Sequence, residues 1–329
     1  MKTFIIAELG INHDGSFDKC IKLIREAKKS GANSAKLQII DPNSSYQKKT
    51  KSYKEFFNKT FTIEELFKLK KFADEIKIEF FTTVGDFASL ELAKKLFIKK
   101  IKISSGLITN IPLIERISKN KFELIISTGM AFKKEIKEAL KVANKYLPKN
   151  KISLLKCTSL YPAPDYLLNL RQIIQMKKEF NIKIGFSDHS LNDLPVMAAV
   201  SLGAEIIEKH FTLNNKLLNA DHKISYEPYQ FRKMVDSIRS IEAILGNSKK
   251  ICPSHEEIQL RKLRHRYLVT IDLVKKNEVF TYKNLGFKRL YKKSSKAIKA
   301  KFYKSFIGKK SNANIDEDTI VNKKFLKYR

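Results

Sequence analysis

The sequence predicts an α/β fold: a TIM-type (β/α)8 barrel over residues 1–246, followed by a small β-rich domain. Three observations carry this expectation. Short apolar runs alternate eight times with amphipathic stretches, the rhythm of one such barrel. The runs are continuously apolar and rich in Ile, as strands buried on both faces are. Polar and ionisable residues close each run at its C-terminal end, where a parallel barrel opens its mouth. A doubly wound sheet is the rival arrangement. It usually has fewer units, and no GxGxxG follows a strand in this chain.

The first strand is expected at 4–8 and its helix at 17–29, with Ser16 placed to cap it. The second strand is 34–39. A polar segment at 41–60 separates it from a helix at 63–76, which Thr62 can cap. The next units pair 78–82 with 87–95, 100–104 with 112–118, and 123–127 with 133–146. Strands at 152–157, 183–186 and 205–209, with helices at 166–180, 193–202 and 228–245, complete the set. Residues 247–265, with Asn, Ser and Pro253, read as a linker. Residues 266–329 carry shorter apolar runs at 267–273, 279–282 and 305–307, split by lysine pairs. A disordered basic tail is the alternative there, and the frequency of Phe and Tyr argues against it.

The formal net charge of +31 invites a nucleic-acid reading. Lysine, however, is spread along the whole chain and falls mostly on expected helix faces, the pattern of a solvated surface. Residues 249–329, with 23 Lys and Arg against 7 Asp and Glu, are the best place for the nucleic-acid view. The same field would draw in small anionic substrates. No apolar run reaches the length of a membrane span, and Glu8 ends the first apolar stretch too soon for a secretory signal. Cys20, Cys157 and Cys252 are an odd and sparse set, which points away from disulfides and toward the cytoplasm.

The strand ends hold the candidate chemistry. Glu8 ends the first strand; Lys36 and Gln38 end the second, and Thr82 and Thr83 the third. Lys102, Ser104 and Ser105 end the fourth strand, and Ser127 and Thr128 the fifth. Thr158 and Ser159 follow the sixth, Ser187, Asp188 and His189 the seventh, and His210 the eighth. Two lysines and many hydroxyls suit a small ligand bearing phosphate and carboxylate. Lys36 and Lys102 each interrupt an apolar strand, which is unlike a surface lysine. Glu8 reads either as the ionic partner of such a lysine or as an acid/base group. His189 and His210 would stand on neighbouring strands, as a metal pair or as two hydrogen-bonded structural histidines.

These residues fall in motifs that resemble the N-acetylneuraminate (sialic acid) synthase family. Ala7-Glu8-Leu9-Gly10-Ile11-Asn12-His13-Asp14-Gly15 resembles its AEIGxNHxG opening. Ala35-Lys36-Leu37-Gln38, Lys102-Ile103-Ser104-Ser105-Gly106 and Ser127-Thr128-Gly129-Met130 follow in order. Cys157-Thr158-Ser159-Leu160-Tyr161-Pro162, Gly185-Phe186-Ser187-Asp188-His189-Ser190, Glu208-Lys209-His210-Phe211-Thr212 and Asp221-His222-Lys223 complete the barrel. Residues 266–329 resemble, more weakly, the family's antifreeze-like (SAF) domain through Arg266-Tyr267-Leu268-Val269, Phe287-Lys288-Arg289 and Gly308-Lys309-Lys310.

The resemblance implies a reaction and a set of roles. Phosphoenolpyruvate would condense with the aldehyde of an N-acyl hexosamine such as N-acetylmannosamine, releasing phosphate, with Mn2+ or Mg2+ as Lewis acid. His189 and His210 would hold the metal, and Glu8 would position the reacting groups. Lys36, Thr83, Lys102, Ser105, Ser127, Ser159 and Ser187 would hold phosphoenolpyruvate. Gln38, Tyr161 and Asp221 would contact the sugar, and Arg289 would reach its N-acyl group from the other subunit of a domain-swapped homodimer.

Departures from the family pattern concentrate on the sugar side. Val84 and Gly85 stand where Pro-Phe is common, Leu107 where a glutamate is common, Lys156 where a histidine is common, and Leu290 where a proline follows Lys-Arg. A catalytically weakened relative that binds a ligand or partner is therefore the alternative to an active synthase, with nucleic-acid binding third.

Overall fold

A computed structural model describes residues 2–218, 220–246, 252–291 and 294–327. The chain divides into two compact units, Met1–Gly246 and Asn247–Arg329.

The first unit is a closed barrel of eight parallel strands in the order β1 to β8, with β8 returning to β1. Around β1 (Phe4–Gly10), α1 (Phe17–Lys29) and β2 (Ser34–Ile39), the Ser16 side chain caps α1 as expected. The polar segment is not irregular throughout: α2 (Pro42–Ser45) and α3 (Lys51–Phe57) form in it, capped by Asp41 and Thr50. Thr62 and Glu65 form a reciprocal capping box at the start of α4 (Ile63–Glu75).

Next come β3 (Glu79–Val84), α5 (Phe87–Lys95), β4 (Lys100–Ile103), α6 (Ile111–Lys119), β5 (Glu123–Ser127), α7 (Lys133–Asn144) and β6 (Ile152–Cys157). The sixth helix is shorter than expected. A 3-10 turn at Asp165–Leu167 and Asn169 in the left-handed region interrupt it, so α8 is only Gln172–Phe180. β7 (Lys183–Asp188), α9 (Leu194–Ser201), β8 (Ile206–His210), α10 (Ala220–Ile224) and α11 (Pro228–Leu245) close the unit.

Period-two alternation sorts each strand into barrel-facing and helix-facing side chains. In β4, Lys100 and Lys102 share the inner face. Lys100 closes the lower end, paired to Glu79 at 3.0 Å and lying over the Phe4 ring, while Lys102 opens into the mouth. In β8 the outward Lys209 is fully buried; it donates to Asp188 Oδ2 at 2.7 Å and to the Ser190 carbonyl. That outer pair ties β7 to β8 directly behind the two histidines, and removing one partner would leave a buried charge unpaired.

Within the second unit, the segment expected as a linker at 247–265 contains a helix, α12 (His255–Arg264), started by a Ser254–Glu257 capping box. Residues 247–251 of that segment lie outside the described residues. The unit holds less regular strand than its apolar runs suggest. β9 (Tyr267–Thr270) and β10 (Leu285–Lys288) pair antiparallel, Val269 of β9 adds a single bridge to Ile320, and Val274 and Val279 contribute only isolated bridges. The run at 305–307 meets a 3-10 turn, Ala300–Ser305. Leu268, Val274, Phe280, Leu285, Phe306, Ile315, Val321 and Leu326 nonetheless form a core of their own. Among the described residues, no helix is long and apolar enough to cross a membrane.

Candidate active site

A cavity of about 350 Å³ opens at the C-terminal ends of the strands. All thirteen barrel residues to which the resemblance assigns a role line it: Glu8, Lys36, Gln38, Thr83, Lys102, Ser105, Ser127, Ser159, Tyr161, Ser187, His189, His210 and Asp221. Of the other strand-end candidates Ser104 joins them, whereas Thr82, Thr128, Thr158 and Asp188 do not. Strand register explains much of this convergence. Glu8 stands beside Lys36 on one side and His210 on the other, Thr83 beside Lys102, and Ser187 beside Glu208. Neighbours in a parallel barrel at the same level and facing inward must meet.

The floor is a buried chain of alternating charge. Lys36 Nζ lies 2.7 Å from Glu8 Oε2 and 3.2 Å from Glu208 Oε2, and donates to Thr83 Oγ1 at 3.1 Å. Lys102 Nζ donates to Glu208 Oε1 at 3.2 Å, and that oxygen also accepts from Ser187 at 2.8 Å. Burial raises the Glu208 carboxyl, but Lys102 and Lys36 outweigh it and hold Glu208 well below the usual carboxylate range. Glu8 goes the other way. Burial dominates over Lys36, the negative charge of Glu208 adds to it, and the carboxyl is pushed up to about 7. One acid of the pair is thus firmly ionised, while the other exchanges its proton near neutrality. Burial lowers Lys102 against the pull of Glu208.

The two histidines stand above this floor, with ring centroids 5.4 Å apart. His189 Nδ1 lies 2.9 Å from the Thr158 carbonyl, which can only accept; Nδ1 therefore carries a proton, and Nε2 is the nitrogen left to face a ligand. Burial, reinforced by the charge of His189, holds His210 well below its ordinary value, and its buried Nδ1 has no hydrogen-bond partner. Tyr161 stacks on His189 at 4.1 Å and meets His210 edge-on at 6.0 Å. Burial lowers His189, but the Cys157 thiol and the Thr158 carbonyl outweigh it and raise the ring, so a divalent cation would displace a proton there. His210 already offers a neutral ring, and two imidazoles at this distance fit such an ion. Among the described residues, no group of three or more His, Cys, Asp or Glu side chains could hold one alone.

The hydroxyl wall depends on a close approach. A Cβ at Gly129 would stand 2.2 Å from Ser159 Oγ and 2.7 Å from Ser105 Oγ, so only glycine lets these serines crowd together. Gly129 N also donates to Ser105 Oγ at 3.1 Å. The buried Ser127 hydroxyl has no partner in the structure and is free to donate into the cavity.

Several lining residues escaped sequence reasoning. Glu208 was visible only as part of a motif; its spacing of two from His210 is the signal that places it on the same face. Cys157 also lines the cavity, with a thiol that His189 brings down to about 7 against the opposing effect of burial. Tyr46, Glu55 and Phe56 arrive on the α2–α3 segment, which no strand-end rule reaches. Leu107 lies in a 3-10 turn after β4 and packs against the barrel core, outside the cavity lining. Arg289 belongs to the second unit, exposed just past β10.

Residues 23–250 match the NeuB family. The chain belongs to that family. It is an enzyme of the phosphoenolpyruvate-dependent, C–C bond-forming transferases, as NeuB synthases are. It is 36% identical over 335 residues to N,N'-diacetyllegionaminic acid synthase of Campylobacter jejuni, covering 97% of this chain and 99% of that one. Pseudaminic acid synthase of the same species is 32% identical, covering 96% and 94%. The crystal structure of N-acetylneuraminic acid synthetase from Leptospira borgpetersenii superposes with a TM-score of 0.75 at 34% identity, covering 79% of this chain and 92% of that one. These NeuB relatives carry three different product names, so membership leaves the acceptor sugar open.

Proposed function

We propose that this NeuB-family chain condenses phosphoenolpyruvate with an N-acyl hexosamine, N-acetylmannosamine or a close relative, to a nonulosonic acid and phosphate. The observation that carries the reading is the cavity floor, where two buried lysines face a set of hydroxyls across the barrel. Lys36, Thr83, Lys102, Ser105, Ser127, Ser159 and Ser187 hold the phosphate and carboxylate, and burial makes each charge-assisted bond count for more than in water. The enol carbon attacks the aldehyde carbon, whose oxygen takes up a proton. Water adds at the neighbouring carbon, the bond from that carbon to the phosphate oxygen breaks, and phosphate leaves. Glu8, with its carboxyl near 7, positions the reacting groups and can hold or release a proton at neutral pH.

Gln38, Tyr161 and Asp221 contact the sugar. His189 and His210 would hold a divalent cation, Mn2+ or Mg2+, which when bound supplies Lewis-acid polarisation of the acceptor carbonyl. Residues 266–329 act as an SAF domain joined through 247–265 to the barrel of residues 1–246. From it, Arg289 reaches the N-acyl group in the partner copy of a swapped homodimer. The partners are thus small molecules and a second copy of the chain, and the place of action is the cytoplasm, in keeping with three free thiols.

The test incubates the purified full chain with phosphoenolpyruvate, Mn2+ or Mg2+ and a panel of N-acyl hexosamines. The expected result is acceptor-dependent phosphate release and a product with the mass of acceptor plus phosphoenolpyruvate plus water minus phosphoric acid. Phosphoenolpyruvate binding without turnover on any acceptor would favour the weakened-relative alternative. Failure to bind phosphoenolpyruvate would overturn the proposed reaction.

A further inference from the structure

The loop after β1, Asn12-His13-Asp14-Gly15, supplies nothing to the cavity floor, yet each of its residues grips an acceptor-side segment. Asn12 Nδ2 donates to the Phe211 carbonyl at 3.0 Å and to Ser225 Oγ at 2.9 Å, and Ser225 in turn bonds the Asp221 carbonyl. His13 stacks on Phe61 with centroids 4.4 Å apart. Gly15 lies at φ +79°, and a Cβ there would stand 2.5 Å from the Asn58 carbonyl, so the end of the α2–α3 segment rests on bare backbone.

Asp14 is the centre. Its Oδ1 accepts from Lys59 at 3.2 Å, and its Oδ2 accepts from Lys19 and lies 3.2 Å from His222 Nε2. A carboxylate can only accept, so His222 carries its proton on Nε2, and its Nδ1 takes the Thr212 hydroxyl at 2.8 Å. Burial lowers His222, which keeps this neutral form. One carboxylate therefore joins the segment that carries Tyr46, Glu55 and Phe56 to the helix that carries Asp221.

We infer that Asp14 is a positioning residue for the acceptor, a pin through Lys59 and His222 that holds both acceptor-side segments in register over the cavity. The inference rests on the proposed reaction for its kinetic readout and on the fold alone for its structural one. Asp14 stands at φ 51°, a conformation Asn also tolerates, so Asp14→Asn keeps the backbone and removes the charge.

The test measures both substrates and, separately, amide exchange in the full chain. Asp14→Asn should raise the acceptor KM about tenfold and leave the phosphoenolpyruvate KM unchanged, the mark of lost acceptor binding. His222→Ala should act alike, and the double variant should be no worse than the worse single variant, because one pin is broken once. Amides of 51–57 should exchange about tenfold faster in Asp14→Asn. Equal rises in both KM values, additive effects, or unchanged exchange would overturn the pin. If no acceptor is turned over by the parent chain, the proposed reaction has failed, and the exchange experiment still decides the pin.

Discussion

The floor and the rim of the cavity are built by different rules. The floor is strand-borne: Glu8, Lys36, Lys102, Ser127, Ser187 and Glu208 project from β1, β2, β4, β5, β7 and β8, all buried, with Glu8 beside Lys36 and Ser187 beside Glu208 in register. The rim is loop-borne: Tyr46 just past α2, Glu55 and Phe56 on α3, and Asp221 on α10 all stand outside the barrel strands. Strands of a closed barrel can scarcely shift without breaking their ladder, whereas loops tolerate sequence change. On the proposed reaction, such a fixed floor would serve phosphoenolpyruvate and a replaceable rim would choose the sugar.

The largest expected effect breaks the floor. Lys102→Ala removes one of the two cations on Glu208, so phosphoenolpyruvate affinity should fall at least about a hundredfold, with about 3 kcal/mol lost in urea unfolding. A loss of binding no larger than that of rim variants would erase the distinction. His189→Ala and His210→Ala come next. Turnover should drop about a hundredfold or more with circular dichroism unchanged, as for residues whose group acts in the transition state. Full activity of either variant in the presence of chelator would refute the cation's place.

The rim has a pH signature through His13. Burial lowers its pKa from 6.5 to about 4, so between those values the unfolded chain binds more protons than the folded one. Stability from this group is complete above 6.5 and lost as pH falls toward 4, amounting to about 3 kcal/mol. His13→Gln should flatten the unfolding free energy over that window by a similar amount; an unchanged slope would mean the ring protonates in place. The smallest effect is expected at Arg289. Arg289→Ala should raise the acceptor KM severalfold, through loss of one charged hydrogen bond of about 1.5 kcal/mol, and leave the phosphoenolpyruvate KM alone. An unchanged acceptor KM would remove the second unit from the site.

The same contrast governs what was legible in the sequence. Lys36 and Lys102 announced themselves because a charge inside an apolar strand has few places to go. All eight strands were legible from continuous apolar runs, and β1, β7 and β8 run only one or two residues past their expected ends. Those extra residues matter, since extending β8 to His210 sets that histidine on the same inner face as Glu208. The α2–α3 segment read as merely polar, because its helices are too short to show a period and depend on Asp41 and Thr50 as caps. Leu107 was legible only as a departure in the motif; the structure adds that its side chain packs against the core and offers the cavity no group. In the second unit, isolated bridges replace long strands, and no pattern of two can announce a single bridge.

The most direct measurement is calorimetric titration of phosphoenolpyruvate into the full chain with no sugar present. The account predicts one site per chain, abolished by Lys102→Ala and unchanged by Asp14→Asn. Absence of binding, or equal weakening by both substitutions, would contradict a donor site carried by the barrel floor alone.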